Sequence, residues 1–233
     1  MRTPTDWLKQ KRAALLACAL LLIVVTGVAW KLAFAQRVIA RGDLLLYFYP
    51  LRDYASQAIR EGRLPLWNPF TFMGAPFLAN SQVGFFYPVN VLTAYLPVVS
   101  SVSLSIVFHL ALAAICMFCL AKCGMRLCNL AAFCAAIAYA LGGYLGAQVE
   151  HLNQLQVLAY LPLQILLLLH IPTNLKMILR RICVLAVTIV FQITAGHTQS
   201  LYICMITLGL VMVVQWLSGA FIASQQEVPN TKR

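Results

Sequence analysis

Apolar positions in this chain come in long unbroken runs, closed off by short clusters of lysine and arginine, and a single stretch departs from that rhythm. Residues 13–34, 98–120, 127–147 and 155–171 each read as a helix of about 20 residues, the length that crosses a bilayer. Residues 182–217 form one apolar block, too long for a single span. The polar interruption Ala195-Gly196-His197-Thr198-Gln199-Ser200 divides it into a fifth and a sixth. Span 3 is rich in Ala and Gly, which predicts close packing against its neighbours. The expected fold is therefore all-α: a polytopic integral membrane protein of about six transmembrane helices, forming a single transmembrane domain over residues 1–233.

The departure is residues 36–97, read as the first extracytoplasmic loop. Within it, Asn68, Asn80, Gln82 and Asn90 stand among Pro65, Pro69, Pro76 and Pro88. Pro50 suits the first position of a helix. Leu51, Tyr54, Ala55, Ala58 and Ile59 then recur on one helical face, opposite Arg52, Asp53, Gln57, Arg60 and Glu61. Gly62 is the expected stop. An amphipathic helix beside a span is expected to lie in the membrane interface. Residues 63–69 should be extended, because residues before proline avoid helical angles. Trp67, Tyr87 and Tyr95 are aromatic side chains suited to the headgroup zone.

Composition agrees with a membrane location. Of 233 residues, 62% are hydrophobic and 10% charged, where a soluble domain carries roughly 25% charged residues. The net charge of +11 needs no nucleic-acid partner, because most of it flanks spans. Lys9, Lys11, Arg12, Lys122, Arg126, Lys176, Arg180, Arg181, Lys232 and Arg233 fall on one side when both termini are cytoplasmic, as the positive-inside rule expects. The start of the chain reads as a retained span rather than a cleaved signal, its apolar run being longer than a signal core. The expected location is the cytoplasmic (inner) membrane, multi-pass, with lipids as partners. Arg37, Arg41, Arg52, Arg60 and Arg63 remain in the outer loop, where they would meet anionic phosphate or lipid headgroups.

Eight cysteines lie in or beside apolar segments and none in the long loop, which speaks against a disulfide framework. Cys116, Cys119 and Cys123 share a helical face without a histidine at zinc-like spacing, so they read as packing residues and no metal ligand is expected. His109 is expected to hydrogen-bond a neighbouring helix, and His170 to sit at the inner interface. The remaining polar features gather at the outer face: the loop with Asp43, the turn with Glu150 and His151, and the turn with His197 and Gln199. That convergence marks the expected site. A plain polar turn at 150–151, a solvated Asp53 and a helix-capping Asp43 are the competing readings.

These residues resemble the N-terminal part of the YfhO-like bacterial membrane proteins, within the glycosyltransferase-C group. The resemblance rests on Gly42-Asp43, Tyr49-Pro50, Gly62-Arg63-Leu64-Pro65-Leu66-Trp67-Asn68-Pro69, Gly74-Ala75-Pro76, Ala79-Asn80-Ser81-Gln82 and Phe86-Tyr87-Pro88-Val89-Asn90. Weaker matches are His151, Leu161-Pro162-Leu163 and Ala195-Gly196-His197-Thr198-Gln199. It implies a membrane glycosyltransferase that takes a sugar from a polyprenyl-phosphate donor to an extracytoplasmic acceptor, a cell-envelope glycan or protein. Asp43 matches the family's acidic catalytic position and would act as general base. Substrate would be bound by Arg52, Asp53, Arg63, Trp67, Asn68, Asn80, Gln82, Glu150, His151, His197 and Gln199. No acidic pair supports a divalent metal, Asp43 and Asp53 being ten positions apart, and no other cofactor is implied. The chain is expected to be the N-terminal part of a larger domain of this kind. A non-enzymatic scaffold, a subunit of a lipid-linked-sugar transporter and an inactive fragment stand as alternatives.

Overall fold

A computed structural model describes residues 4–35, 39, 42–169, 172 and 174–226, with side chains described from 11 to 218. Arg37, Arg41, His170, Lys232 and Arg233, and the side chain of Lys9, lie outside that description. The described residues are mostly helical. In order come α1 (Pro4–Val28), α2 (Trp30–Ala33), α3 (Tyr49–Arg60), two short strands β1 (Trp67–Asn68) and β2 (Ala75–Pro76), α4 (Pro88–Thr93), α5 (Val98–Cys119), α6 (Asn129–Ala140), α7 (Gly143–Ala147), α8 (Leu152–Leu158), α9 (Leu161–Leu168), α10 (Leu175–Ala195) and α11 (Thr198–Gln226). Wider, π-type turns lead into α3 at Leu44–Phe48 and extend α5 at Leu120–Gly124.

Among the described residues, five helical segments are long and apolar enough to cross a membrane: Lys11–Val28, Val98–Gly124, Asn129–Glu150, Leu175–Ala195 and Thr198–Ser218. The second is the hub. It is 56% buried inside the protein, against 11–22% for the other four, whose bare Leu, Ile and Val side chains suit lipid. Small residues let the helices approach closely: Ala132 and Ala136 of α6 are fully buried with Ala121, Phe118 and Leu21 of α1.

The expected fourth span is not one helix. Leu152–Leu168 is shorter than the others and breaks between α8 and α9. The break has a local cause. Pro162 has no N–H, so the carbonyl of Leu158 lacks its usual i+4 donor. Tyr139 Oη fills the vacancy from α6 at 2.9 Å. One residue earlier, the carbonyl of Val157 accepts from Gln192 Nε2 of α10 at 2.9 Å. At the far end, Arg181 donates to the carbonyls of Leu167 and Leu169 at 3.3 and 2.8 Å. That closes α9 with a cation at a helix C-terminus.

The loop is built largely as its punctuation predicted, and placed differently. Pro50 stands in the first turn of α3. Gly62 follows the helix with φ +67°, and Arg63 N donates back to Ala58 O. However, the apolar face of α3 does not rest on the membrane surface. Leu51 and Ala55 are buried with Phe77 and Val83, so the loop covers its own helix. Arg52, expected on the open polar face, is buried. Tyr87, expected among headgroups, is completely buried. Both corrections have one cause: residues 84–93 fold back along the loop-side half of α5, and Thr93 Oγ1 accepts a hydrogen bond from Ser101 Oγ at 2.8 Å.

Candidate functional site

Asp43 stands where the chain enters the π-type turn ahead of α3, with its side chain 64% exposed. Its Oδ2 lies 3.3 Å from Nδ1 of His151, at the start of α8. Gly42 allows this meeting. Its φ is +52°, a backbone conformation that favours glycine, and its backbone lies so close to Glu150 that a β-carbon there would come within 2.7 Å of Oε2. The loop therefore reaches the 150–151 turn by its backbone. A cavity of about 530 Å³ opens beside this contact, lined by Ile39, Gly146, Gln148, Glu150 and His151 among others.

His197 completes the convergence. It precedes α11, and its Nδ1 accepts the backbone N–H of Ser200 at 3.1 Å, closing the helix N-terminus as a side-chain cap does. Burial and the nearby His151 hold its pKa below the ordinary imidazole value. The turn carrying it seats on the long loop through Gly196, where φ is +87° and a β-carbon would collide with the carbonyl oxygen of Ser81 at 1.7 Å. Gln199 is exposed in the first turn of α11.

The other expected binding residues divide. Arg63 pairs with Glu61 and sits over the Tyr54 ring at 5.2 Å. Asp53 faces outward from α3. Trp67 is exposed, its ring folded over Gly74. Asn68 is buried, its amide taken up by Thr71 Oγ1 and by the N–H of Phe70, both at 2.9 Å. These contacts shape a turn. Asn80 donates to Tyr47 Oη at 2.7 Å and accepts from Gln82 N at 3.1 Å, capping a short 3₁₀ turn in which Gln82 is half-buried.

Beneath the loop lies a buried polar chain whose members are scattered in sequence. Arg52, 4% exposed, donates from Nη2 to Gln156 Oε1 at 3.5 Å. Gln156 Nε2 donates to Asn90 Oδ1 at 3.0 Å and Ser105 Oγ at 3.1 Å. Ser105 O lies 2.6 Å from His109 Nδ1 and can only accept, so the imidazole carries its proton there. His109 Nε2 then accepts from Tyr87 Oη at 2.5 Å, and the Tyr87 oxygen accepts from Tyr160 Oη at 2.8 Å. His109 thus bonds the long loop through Tyr87, where a neighbouring helix was expected. Among the described residues no acid pairs with Arg52, and burial pushes its pKa down to about 10. A second buried cluster joins Gln164 Nε2 to Thr188 Oγ1 at 3.2 Å and Gln192 Oε1 at 2.8 Å. The signal for both was legible: an isolated glutamine inside an apolar run is expensive in a membrane and needs partners.

Among the described residues no group of three or more potential metal ligands occurs. No family model matches the chain, no curated protein matches it, and no solved structure matches it.

Proposed function

We propose that this chain is a membrane glycosyltransferase, or the donor-binding part of one, moving a sugar from a polyprenyl-phosphate to an acceptor hydroxyl outside the cytoplasmic membrane. The observation that carries this reading is the pairing of an exposed carboxylate, Asp43, with His151 across 108 positions of sequence, beside a cavity. Asp43 takes the proton of the acceptor hydroxyl as general base. His151 holds that carboxylate in place. The departing phosphate needs positive charge or N–H donors; Arg63 is shared with Glu61 and Arg52 lies on Gln156, so we assign that role to the imidazole of His151 beside Asp43. The proposed topology has six spans, with Leu152–Leu168 as the fourth and both termini cytoplasmic. It is supported by Lys11, Arg12, Lys122, Arg126, Lys176 and Arg180 at helix ends distant from the loop in sequence order.

The test is incorporation of labelled sugar from a lipid-linked donor into outer-face acceptors. Asp43→Asn should lower transfer by about 10²–10⁴-fold, the usual span of general-base catalysis, at unchanged membrane level. Asp53→Asn should keep most of it. Full activity in Asp43→Asn overturns the assignment, and a wild-type chain without transfer overturns the enzymatic reading.

A second reading is transport of a lipid-linked sugar. It is favoured by the α8–α9 break and the buried Gln164–Gln192 cluster, since transporters place binding sites at broken helices. Donor uptake into proteoliposomes without sugar transfer is the outcome that selects it.

A further inference from the structure

Strands β1 and β2 form an antiparallel hairpin, with Trp67 opposite Pro76 and Asn68 opposite Ala75. Its tip holds three large apolar side chains almost wholly outside the protein: Phe70 is 83% exposed, Phe72 92% and Met73 101%. Phe72 and Met73 have φ of +51° and +61°, a conformation that residues with side chains seldom adopt. The tip is nevertheless firmly built. Asn68 binds Thr71 and Phe70, Gly74 N donates to Thr71 O at 2.8 Å, and Tyr54 Oη donates to Trp67 O at 2.8 Å. The fold thus spends backbone strain to hold apolar side chains away from its own core.

The surrounding sequence says what meets them. Residues 64–97 contain no Asp, Glu, Lys, Arg or His, whereas a solvated stretch of that length carries roughly a quarter charged residues. Exposed Phe86, Leu92, Tyr95 and Leu96 continue the apolar surface toward the start of α5, a spanning helix. Charge stops at the hairpin's base, with the Arg63–Glu61 pair. Polar Asp53, Gln57 and Arg60 face outward on α3, whose apolar side the loop already covers. A protein partner would call for polar groups to set register, about one hydrogen bond per 100–200 Å²; the tip side chains of Phe70, Phe72 and Met73 offer none.

We infer that the 67–76 hairpin is a lipid-inserting finger: its tip sits among the acyl chains of the leaflet at the loop end of the bundle. The helix α3 stands above it in the headgroup and water layer. The partner is the bilayer itself, and the loop is anchored to the membrane at its middle as well as at its two ends.

The full chain is reconstituted into phosphatidylethanolamine/phosphatidylglycerol vesicles with a labelled acyl chain. A benzophenone amino acid is placed at Phe72, or at exposed Gln57 of α3 as control. The tip position should give lipid adducts about 10-fold or more above the control, the preference that burying one such side chain corresponds to. Equal adduct yields at the two positions, or an adduct at 72 to a polypeptide in place of lipid, overturns the inference. Phe72→Asp, at an exposed position the fold does not use, provides a second measurement. It should speed trypsin cleavage at Arg63 in vesicles while leaving the detergent-solubilised thermal midpoint unchanged. Cleavage at the wild-type rate counts against the finger.

Discussion

The hydroxyl of Tyr87 lies 2.5 Å from Nε2 of His109, although one belongs to the long loop and the other is the twelfth residue of α5. At about 1.5 Å per residue that is roughly 16–18 Å along the helix. The loop is therefore part of the bundle's interior, and its stability is the bundle's stability. Tyr87→Phe keeps the ring and leaves His109 Nε2 and Tyr160 Oη without a partner. A buried unsatisfied group costs about 1–3 kcal/mol, so the thermal midpoint in detergent should fall measurably. An unchanged midpoint would show that the contact carries no stability.

Arg52 leads to the opposite expectation. A buried guanidinium without an acid costs several kcal/mol in desolvation, and its hydrogen bond to Gln156 is long. Met is of similar length, apolar and adaptable. Arg52→Met should therefore keep or raise the midpoint. A fall beyond about 4 °C, the mark of a loss near 1 kcal/mol in a chain of this size, would mean that Arg52 holds structure.

His197 predicts a pH dependence. Burial and His151 hold its pKa below the ordinary value, which is about 6.5. Between the two values the unfolded chain binds a proton that the folded chain refuses, so stability rises with pH in that window and is lost on acidification. Protonation at Nδ1 also removes the cap on Ser200. His197→Asn retains a capping side chain without a titrating group. Between pH 8 and 5 the wild-type midpoint should drop further than that of the variant; parallel curves would refute a titrating cap.

Much of the helical framework could be read from hydrophobic runs and basic flanks, and Pro50 and Gly62 bracket α3 as their backbone preferences dictate. The meeting of Asp43 with His151 was legible only as polar residues collecting at one level. Its geometry depends on Gly42 passing against Glu150, which spacing does not disclose. The burial of Arg52 was illegible for a definite reason. A helical wheel separates two faces but does not say which of them the rest of the chain will cover. The fourth span read as one helix because its apolar run masks the break at Pro162, and nothing in that run discloses that Tyr139 and Gln192 would take up the freed carbonyls.

Topology has a direct check using the chain's own thiols. Cys123 and Cys128 are exposed at the end of α5 and the start of α6, the side proposed to be cytoplasmic. In intact cells an impermeant thiol reagent should leave the wild-type chain unlabelled and should label Ser81→Cys, at an exposed loop position. Labelling of the wild type, or its absence in Ser81→Cys, reverses or breaks the proposed orientation.

Gly196 presses its backbone on the carbonyl of Ser81, and Arg52 finds its acceptor 104 residues downstream. This has a consequence for biogenesis. When the ribosome has made the whole loop, the groups that will satisfy it have not yet been synthesised. Tyr87 waits for Tyr160, and the seat at Ser81 waits for the turn after α10. The segment translated early is thus among the last to be finished. A nascent chain arrested before residue 156 would present a naked guanidinium and orphaned amides to the insertion machinery, a state that membrane quality control is suited to detect.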